Sequence, residues 1–104
     1  MYSILQNDKT YCYLCGRNGQ GDPLEKHHIF RGINRKKSEE DGLFVWLCGS
    51  RCHREGEKAV HRNKDTMKML QEIGQKAWEQ EYGTRKDFMK RYHKNYLEVW
   101  DGQN

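Results

Sequence analysis

The chain has 104 residues, of which 35% are hydrophobic and 33% are charged, and its formal net charge is +4. This composition excludes a large apolar core and predicts one small domain, with or without an appendage, that recruits a metal ion or a partner for stability. No apolar run is long enough to cross a bilayer, and the first ten residues lack the layout of a signal peptide. We therefore expect no membrane partner, a cytoplasmic location and reduced cysteines.

The four cysteines form two short pairs separated by a long segment. Cys12 and Cys15 enclose two residues, and Cys48 and Cys52 enclose three. This spacing is typical of two knuckles that together hold one zinc ion through four thiolates, which leaves no open coordination position for chemistry. The alternatives are four unrelated buried cysteines or two disulfides, and the paired spacing favours a structural Zn²⁺.

Two segments between the cysteine pairs are predicted strands. Residues 24–30 are short and mixed, whereas residues 43–47, Leu-Phe-Val-Trp-Leu, form an apolar, β-rich run typical of a buried strand. The polar linker at 31–42 contains two glycines and is predicted to be a loop or an exposed ribbon. Its charged residues fit either a solvated surface or a contact with a polyanion.

The pattern changes to helical spacing after the second cysteine pair. A helix is predicted from about Asp65 to Tyr82, with Gly83 after its C-terminus. Thr84 and Asp87 have the spacing of a capping box and predict a second helix. The predicted inner faces contain Met67, Leu70, Gly74, Ala77 and Trp78 in the first helix and Phe88, Met89, Tyr92, Tyr96 and Trp100 in the second.

Cysteines and histidines follow one another in a fixed order along the chain: Cys12-x-x-Cys15, His27-His28-Ile29, Leu47-Cys48 and Cys52-His53. This order resembles the HNH endonucleases of the ββα-metal superfamily, in the subset that has a four-cysteine structural zinc site. The similarity spans residues 11–63 and is strongest to small HNH proteins of bacteriophages and prophages. It implies an α+β fold: a small ββα-metal core with a four-cysteine zinc-knuckle pair and C-terminal helices. The domain would be residues 1–104, with the active-site region at 11–63 and a helical packing region at 64–100.

The resemblance also implies a role for each histidine. His28 matches the general base, whereas His27 and His53 match ligands of a catalytic divalent cation. His61 is the favoured third ligand, and Glu57 competes with it. Without the cysteines, the adjacent histidines would be interpreted as surface residues of a zinc ribbon, and His53 has the alternative role of a spare zinc ligand.

Phosphodiester hydrolysis explains why such residues belong together. Histidine has an unperturbed pKa near ~6.5, so it can accept a proton from water at cellular pH. One divalent cation, Mg²⁺, Mn²⁺, Ni²⁺ or Zn²⁺, can neutralise the phosphate and stabilise the departing 3′ oxygen. Neighbouring strand residues point to opposite faces, so His27 can bind the ion while His28 approaches the water from another side. The implied products carry a 5′ phosphate and a 3′ hydroxyl.

The chain departs from the family pattern at the residue that is usually asparagine, before the second cysteine pair. Residues 41–43 read Asp-Gly-Leu, and Asn34 lies earlier in the linker without an assigned role. This departure concerns the contact that braces the loop between the strands rather than the base or the ligands.

DNA is the expected partner, and no separate base-reading module is evident. Weak sequence selectivity follows, because contacts to backbone phosphates are largely independent of base identity. The alternative function is a non-catalytic zinc-binding module that contacts DNA or a phage protein. The resemblance alone implies two further expectations. One is a partner protein in phage packaging or recombination, and the other is a location in the cytoplasm of a bacterial host. The expected phosphate-binding residues are Arg31, Arg35, Lys36, Arg54 and Arg62.

Overall fold

The computed structural model describes residues 2–97 and shows a small α+β fold built on one two-stranded antiparallel sheet. A 3-10 turn precedes the first helix, and a π-helical turn follows the second strand at Gly49–Arg54. No helix within residues 2–97 is long and apolar enough to span a bilayer. The strands are β1 (Leu24–His28) and β2 (Phe44–Cys48), and the helices are α1 (Arg35–Glu40), α2 (Lys64–Glu81) and α3 (Arg85–Tyr92).

The β-hairpin sets which side chains share a face. Residues opposite each other in an antiparallel pair point to the same side of the sheet, and His27 pairs with Val45 while His28 pairs with Phe44. Val45 is fully buried, which places His27 on the core face. The hairpin therefore sends the two adjacent histidines to opposite faces of the sheet.

The linker between the strands is not the loop or exposed ribbon that its polarity predicted. It forms a 3-10 turn followed by α1, whose sequence Arg-Lys-Lys-Ser-Glu-Glu is rich in good helix formers. Ser38 is fully buried, donates to the Leu43 carbonyl at 2.6 Å and accepts from the Phe30 amide at 3.2 Å. This serine holds α1 against the ends of both strands, and the helix supplies Glu39 to the site.

The C-terminal helices pack on the hairpin largely as predicted. Helix α2 begins after Asn63, which caps it, and α3 begins with the predicted capping box at Thr84. Gly74 lets α2 approach the hairpin, because a β-carbon there would lie 2.8 Å from the side chain of Ile29. Phe88 stacks on Tyr92 with ring centroids 4.6 Å apart.

Three details of the predicted inner face of α3 differ. Met89 points outward and is 43% exposed, because it follows Phe88 by one position around the helix. Tyr96 lies beyond the end of α3 but still packs on Phe30, with ring centroids 4.8 Å apart. Trp100 lies outside the described residues.

Asp41, at the end of α1, joins this helix to both C-terminal helices. Its carboxylate accepts hydrogen bonds from the Trp78 indole at 2.8 Å, from the Tyr92 hydroxyl at 2.7 Å and from the Arg91 guanidinium at 2.6 Å. The side chain of Asp41 is only 13% exposed. The acidic residues 39–41 are therefore not all solvated, because Asp41 makes buried hydrogen bonds to both C-terminal helices.

We expect Asp41→Ala to lower the free energy of unfolding by about 3 kcal/mol, because it leaves three partly or fully buried donors without their acceptor. Urea denaturation followed by circular dichroism measures the change. Glu40→Ala is the matched control, since Glu40 is half-exposed and its one ion pair with Arg91 is 3.2 Å long; its effect should stay within about 0.5 kcal/mol. Equal losses in the two variants would contradict this role for Asp41.

Candidate metal centres

The four cysteines form one cluster that could hold a metal ion such as zinc. Their sulfur atoms all lie within 4.8 Å of one another, and all four are free thiols. The sulfurs of Cys15 and Cys48 are separated by 3.6 Å, well beyond the ~2.05 Å of a disulfide. Three of the four side chains are buried, and Cys15 is exposed.

Two local turns bring the cysteines together. In the first, the Cys15 amide points at the Cys12 sulfur at 3.4 Å and the Gly16 amide donates to the Cys12 carbonyl at 2.9 Å. In the second, the Asp22 carboxylate accepts from the Ser50 and Arg51 amides at 2.7 and 2.8 Å. These bonds hold the turn between Cys48 and Cys52 in place, and they keep the Asp22 pKa below its usual value.

The thiols cannot all ionise without a compensating charge. Burial, followed by hydrogen bonding to neighbouring thiols, raises the pKa of Cys48 to about 11 and also raises the pKa of Cys52. For Cys15, burial acts to raise the pKa, but hydrogen bonds from Arg17 and then from Cys48 and Cys12 together outweigh it and lower the pKa to about 6. A bound cation supplies the charge that lets four such sulfurs act as thiolates.

A second cluster contains three of the predicted histidines. Nitrogen atoms of His27, His53 and His61 lie within 4.8 Å of one another. His53 follows Cys52 in the π-helical turn, and the loop after it returns so that the His61 amide donates to the His53 carbonyl at 3.0 Å. The structure thus brings His61 to the cluster, whereas the competing Glu57 is exposed and does not belong to it.

The environment of His27 fits a cation ligand. Its side chain is 2% exposed, and its Nε2 atom has no hydrogen-bond partner among the described residues. Burial, together with the neighbouring His53 and His61, lowers the pKa of His27 to about 3. A neutral imidazole with a buried, unpaired nitrogen is costly unless another group occupies that position, and three imidazoles leave coordination positions open for water and phosphate.

Glu25 orients His53, a role that was not predicted from the sequence. Nδ1 of His53 donates to the Glu25 carboxylate at 2.7 Å, which leaves Nε2 facing the cluster. Hydrogen bonding from His53, and then from Arg54, keeps the Glu25 pKa low. A carboxylate behind a histidine ligand is the usual arrangement in metal sites. The available signal was strand periodicity, because Glu25 and His27 are two residues apart and share a face.

Arg31 contacts the third histidine. Its guanidinium donates to Nδ1 of His61 at 3.0 Å, so the proton of the neutral ring lies on Nε2, which is 3.1 Å from Nε2 of His53. In this state, one hydrogen-bonded chain connects Arg31 through His61 and His53 to Glu25.

His28 faces the other side of the sheet and has its own carboxylate partner. Nε2 of His28 donates to Glu39 at 2.6 Å, and Lys26 donates to the same carboxylate at 3.2 Å. Hydrogen bonding from His28, and then from Lys26, lowers the Glu39 pKa, so the carboxylate is charged and acceptor-only. Nδ1 of His28 is thereby left as the basic nitrogen. Glu39 was not among the predicted site residues, because the polarity of residues 31–42 predicts a loop.

The two faces of β1 meet in one pocket of about 220 Å³, called here the histidine pocket. Its lining includes the base candidate His28, the three-histidine cluster and three cationic side chains. Its described lining residues are Lys26, His27, His28, Arg31, Arg35, His53 and His61.

The predicted phosphate-binding residues divide into two groups. Arg31 and Arg35 line the histidine pocket. Arg54 instead donates to Glu25 at 3.1 Å, and Arg62 donates to the Glu55 carbonyl at 3.0 Å. Lys36 is exposed on α1 and is not part of the pocket lining.

Asn34 braces the segment between the strands. Its side-chain amide donates to the Tyr92 carbonyl at 3.1 Å, which fastens the 3-10 turn to the end of α3. No role for Asn34 was predicted from the sequence, because its partner lies 58 residues away.

Comparisons of the chain with family models, with curated proteins and with solved structures found no match. The functional proposal therefore depends on the geometry of the two clusters and the histidine pocket.

Proposed function

We propose that this protein is a metal-dependent DNA endonuclease of the HNH type, with a ββα-metal core stabilised by zinc at the cysteine cluster. One observation carries the proposal. An imidazole with a carboxylate partner, His28 with Glu39, and an open three-histidine cluster face the same small cationic pocket. The association with DNA, with a phage and with the cytoplasm of a bacterial host stays a prediction from the sequence resemblance.

The two clusters suit different metals and tasks. Four thiolates close the coordination sphere and favour a structural zinc ion. Three imidazoles accept several divalent cations and leave positions for water and a phosphate oxygen. His27, His53 and His61 would hold a divalent cation, which would supply charge neutralisation for the phosphate and for the leaving 3′ oxygen.

The residues of the chain perform the proton transfer. Nδ1 of His28 accepts a proton as a water oxygen attacks phosphorus, and Glu39 stabilises the resulting imidazolium through the 2.6 Å hydrogen bond. The bond from phosphorus to the 3′ oxygen breaks, and that oxygen takes a proton from solvent. The products are a 5′ phosphate and a 3′ hydroxyl.

Arg31 connects cation binding to phosphate binding. A histidine that ligates through Nε2 carries its proton on Nδ1, and a protonated Nδ1 cannot accept from Arg31. His61 therefore cannot serve as an Nε2 ligand and keep its 3.0 Å contact with Arg31. Once released, Arg31 is available beside Arg35 for contact with a substrate phosphate.

A plasmid-nicking assay tests the proposal. Purified protein with Mg²⁺, Mn²⁺ or Ni²⁺ should convert supercoiled plasmid to the nicked form, and activity should stop when a chelator removes the added cation. His53→Ala should lower the rate by about 100-fold or more, because the cluster loses a ligand together with the Glu25 carboxylate that orients it.

His93→Asn is the matched control for this variant. His93 is exposed beyond α3 in a left-handed backbone conformation that asparagine tolerates, so it should keep full activity. Equal activity of His53→Ala and the control would assign the nicking to a contaminating nuclease. If the pure protein does not nick DNA with any of the three cations, the chain is a non-catalytic zinc-binding module.

A further inference from the structure

A second concave surface, called here the aromatic groove, adjoins the histidine pocket. It has a volume of about 500 Å³, and its described lining includes Tyr2, Phe44, Trp46, Lys9 and Lys26. Lys26 also lines the histidine pocket. The two concavities therefore lie on either side of one shared residue, Lys26.

The hairpin register sets how far the groove residues lie from His28. Lys26 pairs with Trp46, and His28 pairs with Phe44, so all four side chains lie on one face of the sheet. The His28 and Phe44 rings are 6.0 Å apart, and Nζ of Lys26 lies 4.3 Å from the centre of the Phe44 ring. Trp46 lies opposite Lys26, two positions before His28 on β1, which is an offset of about 6.8 Å along the strand direction that one nucleotide can bridge.

The groove has the chemistry that an unpaired nucleotide requires. Tyr2 is 91% exposed and Trp46 is half-buried, so aromatic surface is open to solvent in a protein that is otherwise very polar. Aromatic side chains stack on any base, because every base has a π face. Lys9 supplies positive charge, Lys26 is paired with Glu39 at 3.2 Å, and no carboxylate occurs among the described lining residues. In a single-stranded nucleic acid, the bases can stack on the aromatic rings while the phosphate backbone lies near the positive charge.

We propose that the aromatic groove binds an unpaired nucleotide adjacent to the phosphate held in the histidine pocket. The proposal deepens the proposed nuclease function and rests on it for the position of that phosphate. The substrate class is then single-stranded DNA, or a duplex at a point where bases are unpaired. A continuous relaxed duplex keeps its bases stacked internally and offers nothing to the groove.

A binding experiment tests the groove separately from catalysis. Fluorescein-labelled oligo(dT) is titrated with His28→Ala protein, in which cleavage is blocked, and fluorescence anisotropy reports the affinity. Adding Tyr2→Ala should weaken binding by about 5-fold to 100-fold, the loss expected for one stacked base. Tyr2→Phe should restore most of the affinity, because the ring remains.

Tyr11→Ala is the matched control. Tyr11 is also an exposed tyrosine near the N-terminus, at 50% exposure, but it does not line the aromatic groove. Its removal should leave oligo(dT) affinity unchanged, and a blunt duplex should bind the Tyr2→Ala and Tyr11→Ala proteins equally. Equal oligo(dT) affinities for those two variants, or an equal loss by Tyr2→Ala on oligo(dT) and on the duplex, would overturn the proposal.

The nicking assay separates this result from the proposed function. If the unmodified protein nicks DNA in a metal-dependent way but Tyr2→Ala does not change oligo(dT) binding, the groove proposal is wrong and the nuclease proposal stands. Tyr2-dependent oligo(dT) binding without any nicking supports the groove and overturns the nuclease, which leaves a single-strand-binding module.

Discussion

Cys15→Ser is expected to abolish cooperative folding of this protein. The apparent free energy of binding a structural zinc ion is about 10–16 kcal/mol at neutral pH, comparable to the whole stability of a small domain, about 5–15 kcal/mol. The core is also thin, since only 35% of the residues are hydrophobic. Metal analysis should find about one tightly held zinc in the wild-type chain and none in the variant, and thermal melting by circular dichroism should lose its transition.

Cys15 is the most informative of the four positions, because its side chain is exposed. Without a metal, exchanging an exposed thiol for a hydroxyl changes stability by no more than about 0.5 kcal/mol. A large loss therefore reports the metal rather than core packing. A variant that melts within a few degrees of the wild type would refute the zinc assignment.

A chelator completes this test. A strong zinc chelator should reproduce the unfolding in the wild-type protein, because it removes the same ion. A wild-type protein that keeps its melting transition after complete removal of zinc would contradict the structural role of the ion.

His28→Ala is expected to lower the nicking rate by about 100-fold to 10,000-fold, the usual contribution of a general base. The change should leave divalent-cation affinity unaltered, because His28 lies on the opposite face of the sheet from the three-histidine cluster. Isothermal titration with Mn²⁺ and the plasmid assay measure the two quantities separately. A parallel loss of cation affinity would mean that His28 is a ligand rather than the base.

Glu39→Gln extends this prediction to the carboxylate partner. Glutamine preserves the shape of the side chain but cannot stabilise an imidazolium by charge, so the rate should fall less than in His28→Ala. Glu40→Gln is the control, since Glu40 is the next residue of α1, and it pairs with Arg91 instead of His28. Equal rates in the two glutamine variants would remove Glu39 from the mechanism.

The parts of the molecule that depend on local spacing were predictable from the sequence. The cysteine pairs form one cluster, and the apolar run predicted at 43–47 is the strand Phe44–Cys48. Helix α2 begins and ends within one residue of its predicted limits, and α3 begins where predicted but ends at Tyr92, before the predicted inner-face residue Tyr96. The capping box at Thr84 is present. Ligand spacing, hydrophobic period and capping are all properties of neighbouring residues, so they can be read without a fold.

Long-range partners were not predictable in the same way. Glu39 meets His28 across 11 positions, Glu25 meets His53 across 28, and Asp41 meets Tyr92 across 51. A charged side chain in a polar stretch has the same local pattern whether it is solvated or paired, and only the folded chain distinguishes the two. The helical linker is the clearest case, because Ser38 is buried by contacts that form only when both strands are in place.

The sequence by itself thus determined which residues can bind metal, about where both strands and α2 lie, and where α3 begins, because those features follow from side-chain chemistry and local periodicity. Only the tertiary structure decided which carboxylates serve which histidines, that His61 rather than Glu57 joins the cluster, and that an aromatic groove opens beside it. Those choices depend on the hairpin register and on the return of the loop after His53, which bring distant residues within a few ångströms.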